Sequence, residues 1–169
     1  AYAAYVVSLF FFYLNLNGFA AMFMPNDPPW LNDAFTGTAG FFVIASLSLM
    51  WDHFLNCKEN FPRLHWFFMA VTTYCLLVIP STSTHWYRVF VNPALDAAKA
   101  VLILGMVFTL VLLNRKGRDA SLIFYFSAFT ATVIGLLTYL GALQGRLPVN
   151  AFSLNSFQIS SLFHVILLS

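Results

Sequence analysis

Six apolar stretches follow one another along this chain, each free of Asp, Glu, Lys and Arg: 1–26, 34–51, 66–87, 100–114, 120–145 and 147–169. Short clusters of Pro, Gly, Asn, Ser and charged residues separate them, reading "PNDPPWLND", "CKENFPR", "STSTHWYR", "RKGRD" and "GRLPVN". A helix needs roughly 20 mostly apolar residues to cross a bilayer. The pattern therefore predicts six helices, at about 1–24, 34–56, 63–83, 90–113, 119–144 and 151–169. Because the connections are short, helices next to each other in sequence should be antiparallel neighbours. The predicted fold is all-α, a polytopic transmembrane helical bundle forming a single domain over 1–169.

Composition strengthens this reading. Of the 169 residues, 60% are hydrophobic and only 8% are charged, against about 25% charged in an ordinary soluble domain. Twenty Phe and four Trp exceed what a soluble core of this size could hide. The net charge of +2 gives no reason to expect nucleic acid. Cys57 and Cys75 lie in different segments, so neither a disulfide framework nor a metal knuckle is expected. The first stretch does not read as a signal peptide: it has no basic flank, and Asn15, Asn17 and Gly18 interrupt it. The chain starts and stops inside apolar runs, as expected of a piece of a longer protein.

Charge then sets an orientation. The second and fourth connections carry Lys58, Arg63, Arg115, Lys116 and Arg118, whereas the first, third and fifth hold only Arg88 and Arg146. Short loops rich in Lys and Arg stay in the cytoplasm, which puts both ends of the chain inside. Trp30, Trp86 and Tyr87 then fall at the outer interface, where amphipathic rings prefer to sit.

The exceptions to the apolar pattern are the candidate functional residues. Asp96 and Lys99 are three positions apart, on one face of the fourth helix. The plain reading is a neutralised pair turned toward neighbouring helices; a sensing role, or a Schiff base at Lys99 with Asp96 as counter-ion, are sharper ones. Asn15, Asn17, Asn155 and Gln158 lie at lipid depth, where interhelical hydrogen bonding is the default. A polar ligand cavity opening outward is the alternative. Asp52 and His53, with Lys58 and Arg63 beyond them, read as a contact to cytoplasmic lipid headgroups. Haem ligation would need two histidines facing each other at one depth. His65 and His85 fall at opposite ends of one helix, and His53 aligns only loosely with His164. No cofactor is expected. The chain lacks HExxH, a P-loop and a convincing Ser/His couple, so no enzyme is expected in this segment.

Several local patterns together carry a resemblance. They are "YLNLNGFAAMFMPNDPPWLND" at the end of the first helix, "WDHFLN" and "NFPRL" at the end of the second, and "GRLPVNAFSLNSFQISSLFHVILLS" at the end of the chain. With these, the sequence resembles the membrane domain of bacterial seven-transmembrane receptors with diverse intracellular signalling modules, beginning at that family's second helix. The family usually carries a glutamate in the last helix; here Asn155 and Gln158 match, but His164 stands where the acid is expected. The resemblance implies a multi-pass sensor of the bacterial inner membrane, in a parent with seven spans. An extracytoplasmic sensor domain would precede it, and a histidine kinase or diguanylate cyclase output would follow, linking it to two-component or cyclic-di-GMP signalling. Its partners would be the lipid bilayer, those two domains and, since such outputs work in pairs, a second copy in a homodimer. The rival expectation is a transporter or channel subunit, against which stands the lack of internal repeats.

Overall fold

The computed structural model describes residues 2–16, 29–116, 120–143 and 147–168. Every regular element among the described residues is helical. In chain order they are α1 (Tyr2–Leu16), α2 (Pro29–Phe54), the single turn α3 (Cys57–Asn60), α4 (Pro62–Val78), a 3-10 helix (Ile79–Ser83), α5 (Tyr87–Lys116), α6 (Ala120–Leu143) and α7 (Ala151–Leu168). The chain divides into two compact units, Ala1–Val101 and Leu102–Ser169.

Element boundaries follow local chemistry. Pro29 and Pro62 open α2 and α4 in the first turn, where the proline's missing N–H has no helical partner to lose. α2 ends at Phe54, and two residues on, Asn56 adopts left-handed φ of 45°, a conformation that Asn tolerates better than most residues. Asn60 Nδ2 then donates to the Leu55 carbonyl over 2.9 Å and satisfies one group of the helix end.

The predicted helix over 63–83 is α-helical only to Val78. From Ile79 it tightens to 3-10 geometry, because Pro80 has no N–H and "STST" supplies competing hydroxyls. Ser81 donates to Val78, Thr82 to Ile79, Ser83 to Pro80 and Thr84 to Ser81, over 2.6 to 3.1 Å. α5 starts earlier than predicted, at Tyr87, and carries Pro93 inside it.

In the first unit α2 is the central element, packed on α1, α4 and the 3-10 helix. Its buried face holds Phe41, Ile44, Ala45, Met50 and Trp51. The buried residues of α4 are Leu64, Phe68, Val71, Thr72, Cys75 and Val78, a stripe at helical spacing. Gly37 allows the start of α5 to seat on α2: a Cβ there would come within 2.9 Å of the Tyr87 ring. Phe41 meets the same ring edge to face at 6.1 Å, and Tyr74 donates its hydroxyl to the Phe90 carbonyl at 3.0 Å.

In the second unit α6 and α7 form a closely packed pair. Ala128, Phe129, Thr132 and Ala142 are buried on α6, and Ser153, Ser156, Ser160 and Ser161 on α7. A reciprocal cap starts α7, with the Ser153 N–H donating to Asn150 Oδ1 at 2.8 Å and the Asn150 N–H to Ser153 Oγ at 3.0 Å.

Three helical stretches among the described residues are long and apolar enough to cross a membrane: Ala34–Phe54, Pro62–Ser83 and Val89–Arg115. They correspond to the second, third and fourth predicted spans. Tyr2–Asn15 and Phe126–Gly135 are shorter apolar helical stretches. Trp66 and Leu77 on α4, each 74% exposed, show an outward surface suited to hydrocarbon rather than water.

Candidate functional site

The predicted polar residues are distributed over α1, α5 and α7. Asn15, on α1, donates from Nδ2 to its own helix at Phe11, 2.9 Å away. Asn155, on α7, does the same to Ala151 at 2.8 Å and is exposed. Gln158 is half-buried on α7. His164 lies within α7, its side chain outside the described residues, and Asn17 lies outside them altogether. Lys99 Nζ stands 2.8 Å from Asp96 Oδ1, so the pair predicted from the spacing is formed. It does not turn toward neighbouring helices as its plain reading requires: both side chains project outward, Asp96 74% and Lys99 64% exposed. The buried side of this part of α5 is taken by Ala94 and Val101.

Asn15 also lines an open cleft of about 340 Å³ between α1 and α2. Val7 and Phe11 line it from α1, and Phe35, Thr38 and Phe42 from α2. Thr38 Oγ1 meets Thr82 Oγ1 at 3.0 Å, tying this end of α2 to the 3-10 helix. The walls are mostly apolar, which suits a hydrocarbon occupant better than an ion.

The opposite end of α2 holds a second arrangement. Asp52 Oδ1 lies 2.7 Å from His65 Nδ1, bridging the last turn of α2 and the first turn of α4. Both side chains are largely buried, so Asp52 binds protein where a headgroup contact was expected. The reason is geometric: a seven-residue reversal brings the last turn of one helix against the first turn of the next. Cys57 is fully buried beside them. Burial first, and the Asp52 carboxylate second, push its thiol up to about 12. His53 is exposed, and His85 stacks on Trp86 with ring centroids 4.9 Å apart. Among the described residues, no three His, Cys, Asp or Glu side chains gather as a metal site would require.

The sequence reading missed the contact between α6 and α7. Ser156, buried on α7, has its hydroxyl 3.0 Å from the Gly135 carbonyl oxygen of α6 and 2.7 Å from the Ser153 carbonyl oxygen of its own helix, so its one proton is shared between them. A Cβ at Gly135 would overlap the Ser160 side chain and stand 2.6 Å from the Ser156 carbonyl oxygen. Backbone and backbone meet here with nothing between them, which is how small residues hold helices together in lipid. The recurrence of Ser153, Ser156 and Ser160 at intervals of three and four was the available signal.

Long apolar helices, aromatic outward surfaces and polar groups satisfied within the protein define a helical membrane protein. Comparison with family models then identifies it further. The model for 7TM diverse intracellular signalling matches residues 1–169, and the chain belongs to that family. Comparison with curated proteins and with solved structures returns no match.

Proposed function

We propose that residues 1–169 are the signal-relaying part of a membrane receptor, with six spans here and a seventh before them. A domain outside the cytoplasmic membrane of a bacterium would receive the stimulus. An output module of the histidine kinase or diguanylate cyclase type would follow α7 inside. The observation that carries this reading is the family match over the whole chain, in a family described by its link to intracellular signalling.

The helical geometry supplies a route. α7 is the last helix before the output, and it is joined to α6 at Gly135 and Ser156. A displacement of α6 would therefore carry α7 with it, because a close backbone contact cannot slide without separating the helices. A stimulus can bias such a device only if it contacts the two positions of the pair differently. The stimulus itself would act at the outer side, where the Asn15 end of α1 and the 3-10 helix would lie in the orientation read from the basic residues.

The test uses the parent receptor in native membranes. Kinase or cyclase activity of the output is measured with the extracytoplasmic domain intact and after its removal. Relay predicts a change in output activity; identical activity in both, with both proteins inserted and folded, contradicts it.

A further inference from the structure

Asp96 and Lys99 raise a question that the relay does not answer. Their side of α5 is exposed, and Val89, Asn92 and Leu95 are exposed with them. Positions 89, 92, 96 and 99 recur at intervals of three and four and form one stripe. The stripe lies within a stretch long and apolar enough to cross a membrane, Val89–Arg115. At 1.5 Å per residue, Asp96 is about 10 Å and Lys99 about 15 Å along it from Val89. The whole stretch is about 40 Å long, some 10 Å more than the hydrocarbon core. Centred in the bilayer, it places both charges below the outer interface.

Lipid tails offer such a surface nothing. A carboxylate has about four acceptor sites and an ammonium three donors, and the bond between Lys99 Nζ and Asp96 Oδ1 uses one of each. A partner that completes these bonds brings both donors and acceptors to this depth.

We propose that the Asp96–Lys99 face of α5 is the docking surface for a second copy of this chain. The argument is charge complementarity. The patch carries one acid and one base a helical turn apart, so a two-fold axis along the membrane normal turns it into its own complement. Two copies form a neutral cluster of four charges within one helical turn of depth, each ammonium having a carboxylate on its own helix and another across the axis. Val89 and Leu95 close apolar contacts beside it, and Asn92 lies toward the outer interface. The inference rests on the proposed function in taking α5 to span the membrane, and it names the surface through which the receptor pairs.

The experiment places two epitope-tagged copies of the parent receptor in one membrane and measures co-purification. A Leu95→Cys substitution adds disulfide cross-linking, with the chain lacking it as control. The parent copies should co-purify, and Leu95→Cys should give a band of dimer size. Asp96→Lys in both copies, or Lys99→Asp in both, makes four like charges and should lower co-purification about tenfold, the equivalent of about 1.4 kcal/mol. Co-expressing the Asp96→Lys copy with the Lys99→Asp copy should restore it, since one face is then doubly positive and the other doubly negative. If a reversed charge prevents insertion, the neutral pair Asp96→Asn with Lys99→Met replaces it, and cross-linking at Leu95→Cys must fall. Unchanged co-purification in the folded single variants overturns the proposal, as does failure of the mixed pair to recover. A cross-link confined within one chain also overturns it, because the face is then covered by the receptor's own segment. A parent receptor whose copies do not co-purify but whose output still responds sinks this inference alone, whereas pairing through α5 with an unresponsive output sinks the relay alone.

Discussion

Ser156 on α7 shares its hydroxyl proton between the Gly135 carbonyl of α6, 3.0 Å away, and the Ser153 carbonyl of its own helix, 2.7 Å away, at a point where Gly135 leaves no room for a methyl group. This contact sets how α7 is held, and so what a membrane signal would have to move.

Substitution there should therefore weaken the pair by two separable routes. Gly135→Ala forces the helices apart, at a cost of about 1–3 kcal/mol for overpacking. Ser156→Ala removes an interhelical hydrogen bond that is shared with the Ser153 carbonyl, worth at most about the 0.6 kcal/mol such bonds average inside membrane proteins. Thermal denaturation in detergent checks both, with Gly135→Ala the more damaging. A Gly135→Ala chain as stable as the parent would mean that the helices do not meet as described.

At the last turn of α2, Asp52 and His65 are predicted to be coupled. The two side chains are 2.7 Å apart and largely buried, and hydrogen bonds to charged groups contribute about 1.5–3 kcal/mol. Asp52→Asn and His65→Ala should each destabilise the protein, and the double variant should cost less than their sum. Strict additivity in a double-mutant cycle would contradict the pairing.

Cys57 gives this corner a dependence on alkaline pH. Its thiol, held near 12 in the folded chain by burial and by Asp52, ionises near the ordinary 9.0 once unfolded. Between those values the unfolded state binds fewer protons than the folded one, so stability falls as pH rises through that window and is flat in this respect below it. Comparing the parent with Cys57→Ser from pH 8 to 11 isolates the effect: the parent should lose stability more steeply. Parallel curves would rule it out. The same burial should make Cys57 slow to react with thiol reagents at neutral pH, since the thiolate is the nucleophile.

The Asp96–Lys99 pair should behave as one unit. A lone charge near the bilayer centre costs about 2.5–3.5 kcal/mol on insertion scales. Removing one partner by Asp96→Asn or Lys99→Met leaves the other unmatched, so each single variant should lower folded yield more than the double variant does. Equal or additive losses would show that the two residues do not see each other in the membrane.

These particulars show what was legible in the sequence and what was not. Charge-free runs exposed the helices because a bilayer punishes charge along a whole segment, and the pairing of the residues at 96 and 99 was legible because helical spacing puts them on one face. Which way that pair faces was not legible: the apolar residues surrounding it lie on every side of α5, so no polar face marks the outside. Asp52–His65 was hidden for a different reason. The partners are thirteen positions apart, and only the tight reversal through Asn56 and α3 brings them together. Ser156 and Gly135 are twenty-one positions apart, and their contact depends on the rotation of two helices that apolar patterning leaves undetermined. Pro80 was in plain view, yet the absence of charge over 66–87 carried the predicted α-helix past it to about 83.

The relay through α7 can be tested by rotation. In the parent receptor, one residue inserted between Leu168 and the output turns the output by about 100°, whereas seven residues bring it back to within about 20° of its original phase. The measurement is the activity of the proposed kinase or cyclase output in native membranes, with and without the proposed extracytoplasmic domain. If α7 passes its position to the output, the one-residue insertion should abolish the dependence on that domain and the seven-residue insertion should preserve it. Equal behaviour of the two insertions, with both receptors inserted and folded, would contradict a signal carried by the position of α7.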